Sequence, residues 1–329
     1  MGGDLGPKEV VSGIAKCVKL NPDLNFIVHG NYEKLFQLIK NNNIQNKCEI
    51  VDAKNVVSMD QKPSYVIRNG QETSMWSAIE SVKTGKANAC VSGGNTGALM
   101  ALSVIRLRKS LGVTRPAIAC LWPSENKSGF NIVLDVGADI RADRNDLLQY
   151  AIMGSRYAKQ GFDILRPRIG LLNVGTEEHK GSTELKEAYD LIKKHSKTEK
   201  YQFVGFVEGG DIPANSVDII VTDGFTGNIA IKTAEGTSNL IAGKMRNALS
   251  SNIFSKIGSL FIGSSFLKVK REIDPRNVNG GVFLGLNGIV IKSHGSADRQ
   301  GIASAISLGY RLSTAGFHNS LGVQIEEHE

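Results

Sequence analysis

Cysteine is scarce and scattered. Cys17, Cys48, Cys90 and Cys120 form no Cys-x-x-Cys pair, so free thiols in a reducing compartment are expected. Cys90 and Cys120 fall in apolar runs, where a thiol serves as a small buried hydrophobe. Aromatic residues are only 6% of the chain and are not interleaved with basic ones. Nucleic acid is therefore not an expected partner. No apolar run reaches the 18 or so residues of a membrane span, and no leader pattern opens the chain. A cytoplasmic protein is expected, soluble or at most bound to a membrane surface. Internal repeats and low-complexity tracts are missing. So are the Walker A loop and the Rossmann glycine fingerprint.

Glycine, in contrast, is abundant, with 36 of 329 residues against roughly 7% on average. Many glycines stand where strands should turn into helices. The formal net charge is +7, which suits an anionic membrane surface or an acidic protein.

The stretch from Asp218 to Glu235 organises the rest. Ile219, Ile220 and Val221 make a β-branched run suited to a buried parallel strand. Asp223-Gly224 breaks it, and helical spacing returns from Asn228. Gly224 and Gly227 would let backbone N–H groups approach a ligand, and the helix would turn its positive end towards an anion. Similar units recur. A strand at Ala87–Val91 runs into Ser92-Gly93-Gly94-Asn95-Thr96-Gly97, and one at Ile169–Leu172 into Asn173 through Gly181. Strands at Phe130–Leu134 and Phe203–Phe206 end at Asp135 and Glu208. Lys54–Gln71 reads as a polar, irregular excursion. Pro7 suits a helix start, and the opening reads as a loop where a strand would be usual. Alternating strands and helices predict a parallel α/β sheet covered on both faces. The loops after Asn95, Asp135, Asn173, Glu208 and Asp223 are expected to converge at one sheet edge as an active site.

Residues 1–329 read as a single domain, with a helical hairpin at 234–272 that breaks near Ser250-Ser251. Its second part is dense in apolar residues bordered by basic ones. It reads as a homodimer interface, or as an apolar tip with a basic fringe that meets a membrane or an acidic partner; both can hold at different ends.

Five motifs then appear in order: Met1-Gly2-Gly3-Asp4, Ser92 to Ala98, Asn173 to Gly181, Thr222 to Asn228 and Lys292 to Asp298. The chain thereby resembles the bacterial phosphate acyltransferases of phospholipid synthesis over nearly its whole length. The resemblance implies a three-layer α/β/α sandwich with a mostly parallel sheet, similar to the phosphotransacetylases, plus the protruding hairpin. It implies transfer of a long-chain acyl group from acyl carrier protein to inorganic phosphate, without metal or nucleotide cofactor. It also implies a homodimer, peripheral membrane association, and a downstream membrane glycerol-3-phosphate acyltransferase that consumes the acyl phosphate. Two departures stand out. Family members begin with a strand ahead of Met-Gly-Gly-Asp, and Thr176 stands where an acidic residue is expected, next to Glu177 and Glu178.

Such a transfer needs a phosphate site, a donor for the oxyanion and an acid for the thiol. Lys180, carried over from the family motif, would bind phosphate or polarise the thioester; otherwise it is a solvent-facing lysine at a helix start. Asn228 would donate to the oxyanion or cap the helix that follows. His294 is a candidate acid or base, or simply structural. Gly94, Asn95, Thr96 and Gly97 would serve phosphate or cap a helix. Gly2, Gly3 and Asp4 would complete the floor, with Asn173, Gly224 and Gly227 also near substrate. Asp223 and Asp298 would orient lysines or cap helices. Lys268, Lys270 and Arg271 are the expected contacts for carrier protein, and Ile257, Leu260, Phe261 and Ile262 for membrane. Three rival readings remain: an acyl-coenzyme A phosphotransacylase, a metal- and NAD-dependent dehydrogenase on the same broad fold, and a non-catalytic membrane scaffold.

Overall fold

The computed structural model describes residues 1–250 and 280–317. The predicted contacts at Ile257, Leu260, Phe261, Ile262, Lys268, Lys270 and Arg271, and the second half of the predicted hairpin, lie outside the described residues.

In chain order the strands are β1 (Phe26–Gly30), β2 (Cys48–Asp52), β3 (Ala89–Ser92), β4 (Ala117–Pro123), β5 (Phe130–Leu134), β6 (Arg168–Leu172), β7 (Gln202–Val207), β8 (Ile219–Val221), β9 (Gly281–Leu284) and β10 (Ile289–Lys292). The helices are α1 (Gly6–Leu20), α2 (Tyr32–Asn41), α3 (Pro63–Asn69), α4 (Ser74–Lys83), α5 (Thr96–Leu107), α6 (Arg144–Phe162), α7 (Thr183–His195), α8 (Gly224–Ser250) and α9 (Arg299–Thr314). Strands β1 and β2 pair in parallel as a separate two-stranded sheet. The other eight form one sheet in the order β3-β10-β9-β4-β5-β8-β6-β7.

Period-2 alternation sorts the core into layers. On β4, Ala117, Ala119 and Leu121 pack with Leu148, Ile152 and Leu308 of α6 and α9. Ile118 faces the other way, towards Ile79, Leu99 and Leu102 of α4 and α5. Cys120 and Trp122 meet Ala230, Ile231 and Ala234 of α8 on that same face. Two helical layers around one sheet result. The β8 run is fully buried, as its three β-branched residues require. A third core under α1, α2 and α9 holds β1 and β2.

The helix ends follow local chemistry. Asp143 and Asp146 form a reciprocal capping box on α6. Asp298 accepts from Gln300 and Gly301 at the start of α9. The stretch read as irregular, Lys54–Gln71, contains α3, started by Pro63 and anchored by the single buried residue Val66. Strand β10 starts only at Ile289. A turn precedes it, with Gly285 at φ +84°, where a side chain would be strained, and β9 lies before that turn.

The sheet's directions divide the expected single set of loops in two. Four pairings are parallel: β3–β10, β5–β8, β8–β6 and β6–β7. The three between them, β10–β9, β9–β4 and β4–β5, are antiparallel. Three reversals set β3 and β10 opposite to the β5-β8-β6-β7 block. The loops therefore leave in two groups that point opposite ways along the strands, from ends that the register sets nearly level: Val133 pairs with Cys120, Ala119 with Val282, and Val282 with Ile291.

Candidate active site

The first group gathers where β3 and β10 end. Asp4 N donates to the Gly295 carbonyl at 2.8 Å. A Cβ on Gly3 would stand 3.2 Å from the Gly295 oxygen, and one on Gly2 would stand 3.0 Å from the Val57 oxygen. Met1–Asp4, Gly93–Gly94 and His294–Gly295 thus stack backbone on backbone. The last residue of β10, Lys292, alternates onto the face shared by α4, α5 and α8. Its Nζ donates to the Gly93 carbonyl at 3.4 Å and, closely, to that of Ser293. Burial pulls its pKa down to about 8, against the opposing pull of Asp4, with Lys232 of α8 lowering it further. His294 is exposed, and its Nδ1 lies 2.8 Å from the Ser296 hydroxyl.

Asn95 belongs to this group by sequence, yet its amide is used structurally. Its Oδ1 accepts from Ala98 N at 3.0 Å, and its Nδ2 donates to the carbonyls of Met59 and Gln61, both at 2.9 Å. It caps α5 and ties down the 58–61 loop. Thr96 and Gly97 start α5, where a Cβ on Gly97 would press on Pro63 at 2.9 Å.

The second group is built on Asp135, which is fully buried. Its carboxylate accepts from the backbone N–H groups of Ile118, Gly137, Ala138 and Asp139, the shortest at 2.7 Å. Burial raises its pKa, and these donors oppose the rise. The helix α8 docks on this cage. Gly224 N donates to the Asp139 carbonyl at 2.8 Å. A Cβ at Gly227 would overlap the Asp135 carbonyl oxygen. Asp223 is the N-cap, accepting from Thr226 N at 2.9 Å and from its hydroxyl at 2.7 Å. The cap that sequence offered to Asn228 is therefore filled by Asp223. Asn228 lies a turn inside the helix, exposed, with its amide oxygen 3.8 Å from where a Cβ on Gly137 would stand.

Beside it, at the end of β6, Asn173 Nδ2 donates to the Lys180 carbonyl at 3.2 Å, and its Oδ1 accepts from Val174 N at 2.9 Å. Gly181, at φ +90°, packs against that amide. Lys180 is part-exposed and pairs with Glu177 at 2.8 Å. The Glu177 hydrogen bond raises its pKa, with a smaller contribution from Glu208, so it stays charged. An exposed pair of this kind is weak in water, so an arriving anion can take Glu177's place.

The described structure thus brings Gly2, Gly3, Asp4, Gly94 and His294 into one group. It brings Gly224, Gly227 and Asn228 into the other, with Asn173 and Lys180 in the loop that follows the adjacent strand β6. The helix α8 links the two, since Lys232, two turns beyond the Asp135 cage, acts on Lys292. Sequence reading missed Asp135 as the organiser and Lys292 and Lys232 as cations of the site. A lysine ending the buried run Ile289-Val290-Ile291 was the available signal. Burial pushes Cys90 and Cys120 up to about 12, which leaves both thiols un-ionised and unfit as nucleophiles.

Comparisons with known proteins agree with this architecture. The family model described as "Fatty acid synthesis protein" matches residues 1–320. A phosphate acyltransferase of Jannaschia sp. (strain CCS1) is 59% identical over all of this chain and 90% of its own length. Another, of Paracoccus denitrificans (strain Pd 1222), is 56% identical over 99% of this chain and 89% of its own. Among solved structures, a phosphotransacetylase from Streptococcus pyogenes aligns with a TM-score of 0.63 at 19% identity, covering 94% of this chain and 92% of that one. A 4-hydroxythreonine-4-phosphate dehydrogenase from Klebsiella pneumoniae aligns at 0.54 and 11% identity, covering 95% and 98%. At such identities the structural likeness concerns the fold alone. By the family match and the high-identity relatives, the chain belongs to the fatty acid synthesis protein family, whose members here carry the name phosphate acyltransferase.

Proposed function

We propose that this chain transfers a long-chain acyl group from the thioester of acyl carrier protein to inorganic phosphate, for phospholipid synthesis. The observation that carries the reading is the 59% identity to a phosphate acyltransferase over the whole chain. A phosphate oxygen attacks the thioester carbonyl carbon, the C–S bond breaks, and acyl phosphate leaves with the carrier thiol. Phosphate is itself the nucleophile, so no covalent enzyme intermediate is needed. Lys292 and Lys232, with the stacked glycine backbones, supply positive charge and close N–H approach for the dianion. The Asn228 amide, not used as a cap, is a donor for the tetrahedral oxyanion. Lys180 is a third cation, at the rim, and His294 a proton donor for the departing thiolate.

A second copy of the chain is the proposed partner for α8. Phe225, Ile229, Leu240 and Ile241 are each about half exposed or more, an apolar load that is unusual for a free helix. Residues 257–262 are proposed to rest on a membrane surface, and Lys268, Lys270 and Arg271 to steer acidic carrier protein. No described helix is long and apolar enough to cross a membrane.

The test compares palmitoyl-acyl carrier protein with palmitoyl-coenzyme A as donors at equal concentration, trapping acyl phosphate as hydroxamate. The reading expects phosphate-dependent product with a clear preference for the carrier protein. Equal or better use of coenzyme A would point to a soluble phosphotransacylase instead.

A further inference from the structure

The excursion between β2 and α4 is closed on itself. Asn55 pairs with Thr73 in an isolated parallel bridge, and Ser74 N donates to the Asn55 carbonyl at 3.0 Å. Between those points lies a strap, 56–72, whose only buried side chains are Val57 and Val66. Its helix α3 is too short to hold itself together in water. Two contacts fasten it to the start of α5. Pro63 presses on Gly97, where a Cβ would stand 2.9 Å from Pro63 Cγ. The Asn95 amide donates to the carbonyls of Met59 and Gln61, both at 2.9 Å, with the Ser58 carbonyl beside them at 3.4 Å.

The strap covers the floor of the first group of loops. The point where a Cβ on Gly295 would stand is 2.9 Å from Asp4 Oδ2 and 3.0 Å from Met59 Cε. The Met59 methyl therefore lies beside the Asp4 carboxylate, over the backbone that follows Lys292. The Val57 carbonyl stacks on Gly2 in the same way. Met59 is also 45% exposed, so it stands between solvent and that floor.

We propose that the strap 56–72 is the wall that keeps water from the thioester, with Met59 as its plug and Asn95 as the positioning residue that holds it shut. This rests on the acyl transfer proposed above and accounts for the choice of nucleophile. In the productive step a phosphate oxygen bonds to the acyl carbon and the C–S bond breaks. With the strap open, a water oxygen bonds to that carbon instead. The C–S bond breaks again, one water proton ends on the sulfur, and the products are fatty acid and free thiol. Charge gathers phosphate but does nothing to turn away water, so exclusion has to make that distinction. The two ends of the Asn95 amide have separate tasks. Its Oδ1 caps α5 through Ala98 N at 3.0 Å, and its Nδ2 holds the strap. Asn95→Asp keeps the cap, because Asp serves there as well as Asn. It also replaces the donor with an oxygen that faces carbonyls. Losing two ordinary hydrogen bonds raises the open population by ~10-fold or more.

The test compares wild type, Asn95→Asp, Met59→Ala and Met59→Leu as full chains. Hydrogen exchange at Tyr65, Val66 and Gly70, whose N–H groups bond within the strap, reads its opening. Palmitate released from palmitoyl-acyl carrier protein without phosphate reads attack by water, set against thiol release with phosphate. Asn95→Asp is expected to exchange those amides and to hydrolyse the thioester faster, both by ~10-fold or more. Met59→Ala should hydrolyse faster with exchange unchanged, and Met59→Leu, which restores the volume, should return to the wild-type ratio. If Asn95→Asp fails to fold, the Met59 pair still decides whether the plug excludes water. The proposal is overturned if neither Asn95→Asp nor Met59→Ala raises hydrolysis. It is overturned equally if Asn95→Asp raises the KM for phosphate while strap exchange stays at the wild-type rate, which would make Asn95 a phosphate ligand. Folded wild type that forms no acyl phosphate would sink the transferase reading instead, and strap exchange in Asn95→Asp would still show whether Asn95 holds the strap.

Discussion

Gly227 sits where α8 meets the backbone that follows β5. A methyl group there would overlap the Asp135 carbonyl oxygen and stand 2.9 Å from Thr222 Cγ2 and 3.1 Å from the Asp135 carbonyl carbon. Ordinary carbon contacts are about 3.5–4.0 Å. Neither obstacle can swing away, since one is main chain and the other is a buried β-branched side chain. The first turn of α8 must therefore retreat by roughly 1 Å. Overpacking of this kind costs about 1–3 kcal/mol. Stretching the bond from Gly224 N to Asp139 O adds about 1 kcal/mol, and the better helix propensity of Ala offsets about 1 kcal/mol. The net expectation for Gly227→Ala is a loss of about 1–3 kcal/mol, a fall in Tm of about 1–4 °C at this chain length. Asn228 moves with the helix, so activity should fall by more than stability suggests, ~100-fold for a displaced transition-state donor. Gly236→Ala is the internal control. It lies in the same helix with nothing within 4 Å of the new Cβ, and it should gain up to about 1 kcal/mol. A thermal melt and a turnover assay on both variants decide the matter. If Gly227→Ala melts alongside Gly236→Ala, the docking of α8 on the Asp135 backbone is not as tight as argued.

Further expectations follow from the same cage and its neighbours. Asp135→Asn turns one acceptor oxygen into a donor facing backbone N–H groups that have no other partner shown, at a cost of about 2–3 kcal/mol, measurable by urea unfolding. Asp223→Ala removes the α8 cap and should cost about 1 kcal/mol, with little effect on the melt of the rest. Lys292 has a pH signature. Its pKa falls from 10.5 unfolded to about 8 folded, so the unfolded chain binds the extra proton between those values and stability rises with pH across that window. Below pH 8 the full cost of burying the charge is present, on the order of 3 kcal/mol before its two carbonyl contacts are counted. Lys292→Met should therefore gain stability relative to wild type near pH 7 and lose that advantage by pH 10–11, while turnover drops. A stability difference that does not change with pH would show that Lys292 is not a buried charge.

Much of the layering was legible because burial writes itself into period. Ile219-Ile220-Val221 could be little else than a buried strand. Strand direction leaves no such mark. The β4–β5 hairpin and the insertion of β9 between β10 and β4 turn one half of the sheet around, and no local pattern encodes that. Hence the glycine loops were legible one by one but not their division into two groups. The helix α3 was missed because it buries only Val66, too little for a stripe. Asp223 and Asn228 were both plausible caps by residue type, and the choice depends on where α8 begins, which the glycines at 224 and 227 obscured. Lys292 was hidden by its position at the end of an apolar run, where a lysine reads as a strand's exposed terminus rather than as a cation drawn under Gly93.

The most direct test of the central claim is the phosphate-dependent formation of acyl phosphate from palmitoyl-acyl carrier protein by wild type, Lys180→Ala and Asn228→Ala. Both side chains are part-exposed or exposed, so both variants should keep the wild-type Tm. The account predicts hydroxamate from wild type only when phosphate is present, and a loss of ~100-fold or more in Asn228→Ala, the scale for one preorganised oxyanion donor, with a smaller but distinct loss in Lys180→Ala. Undiminished product from folded Asn228→Ala would contradict the placement of the oxyanion. No product from folded wild type would contradict the transferase reading itself.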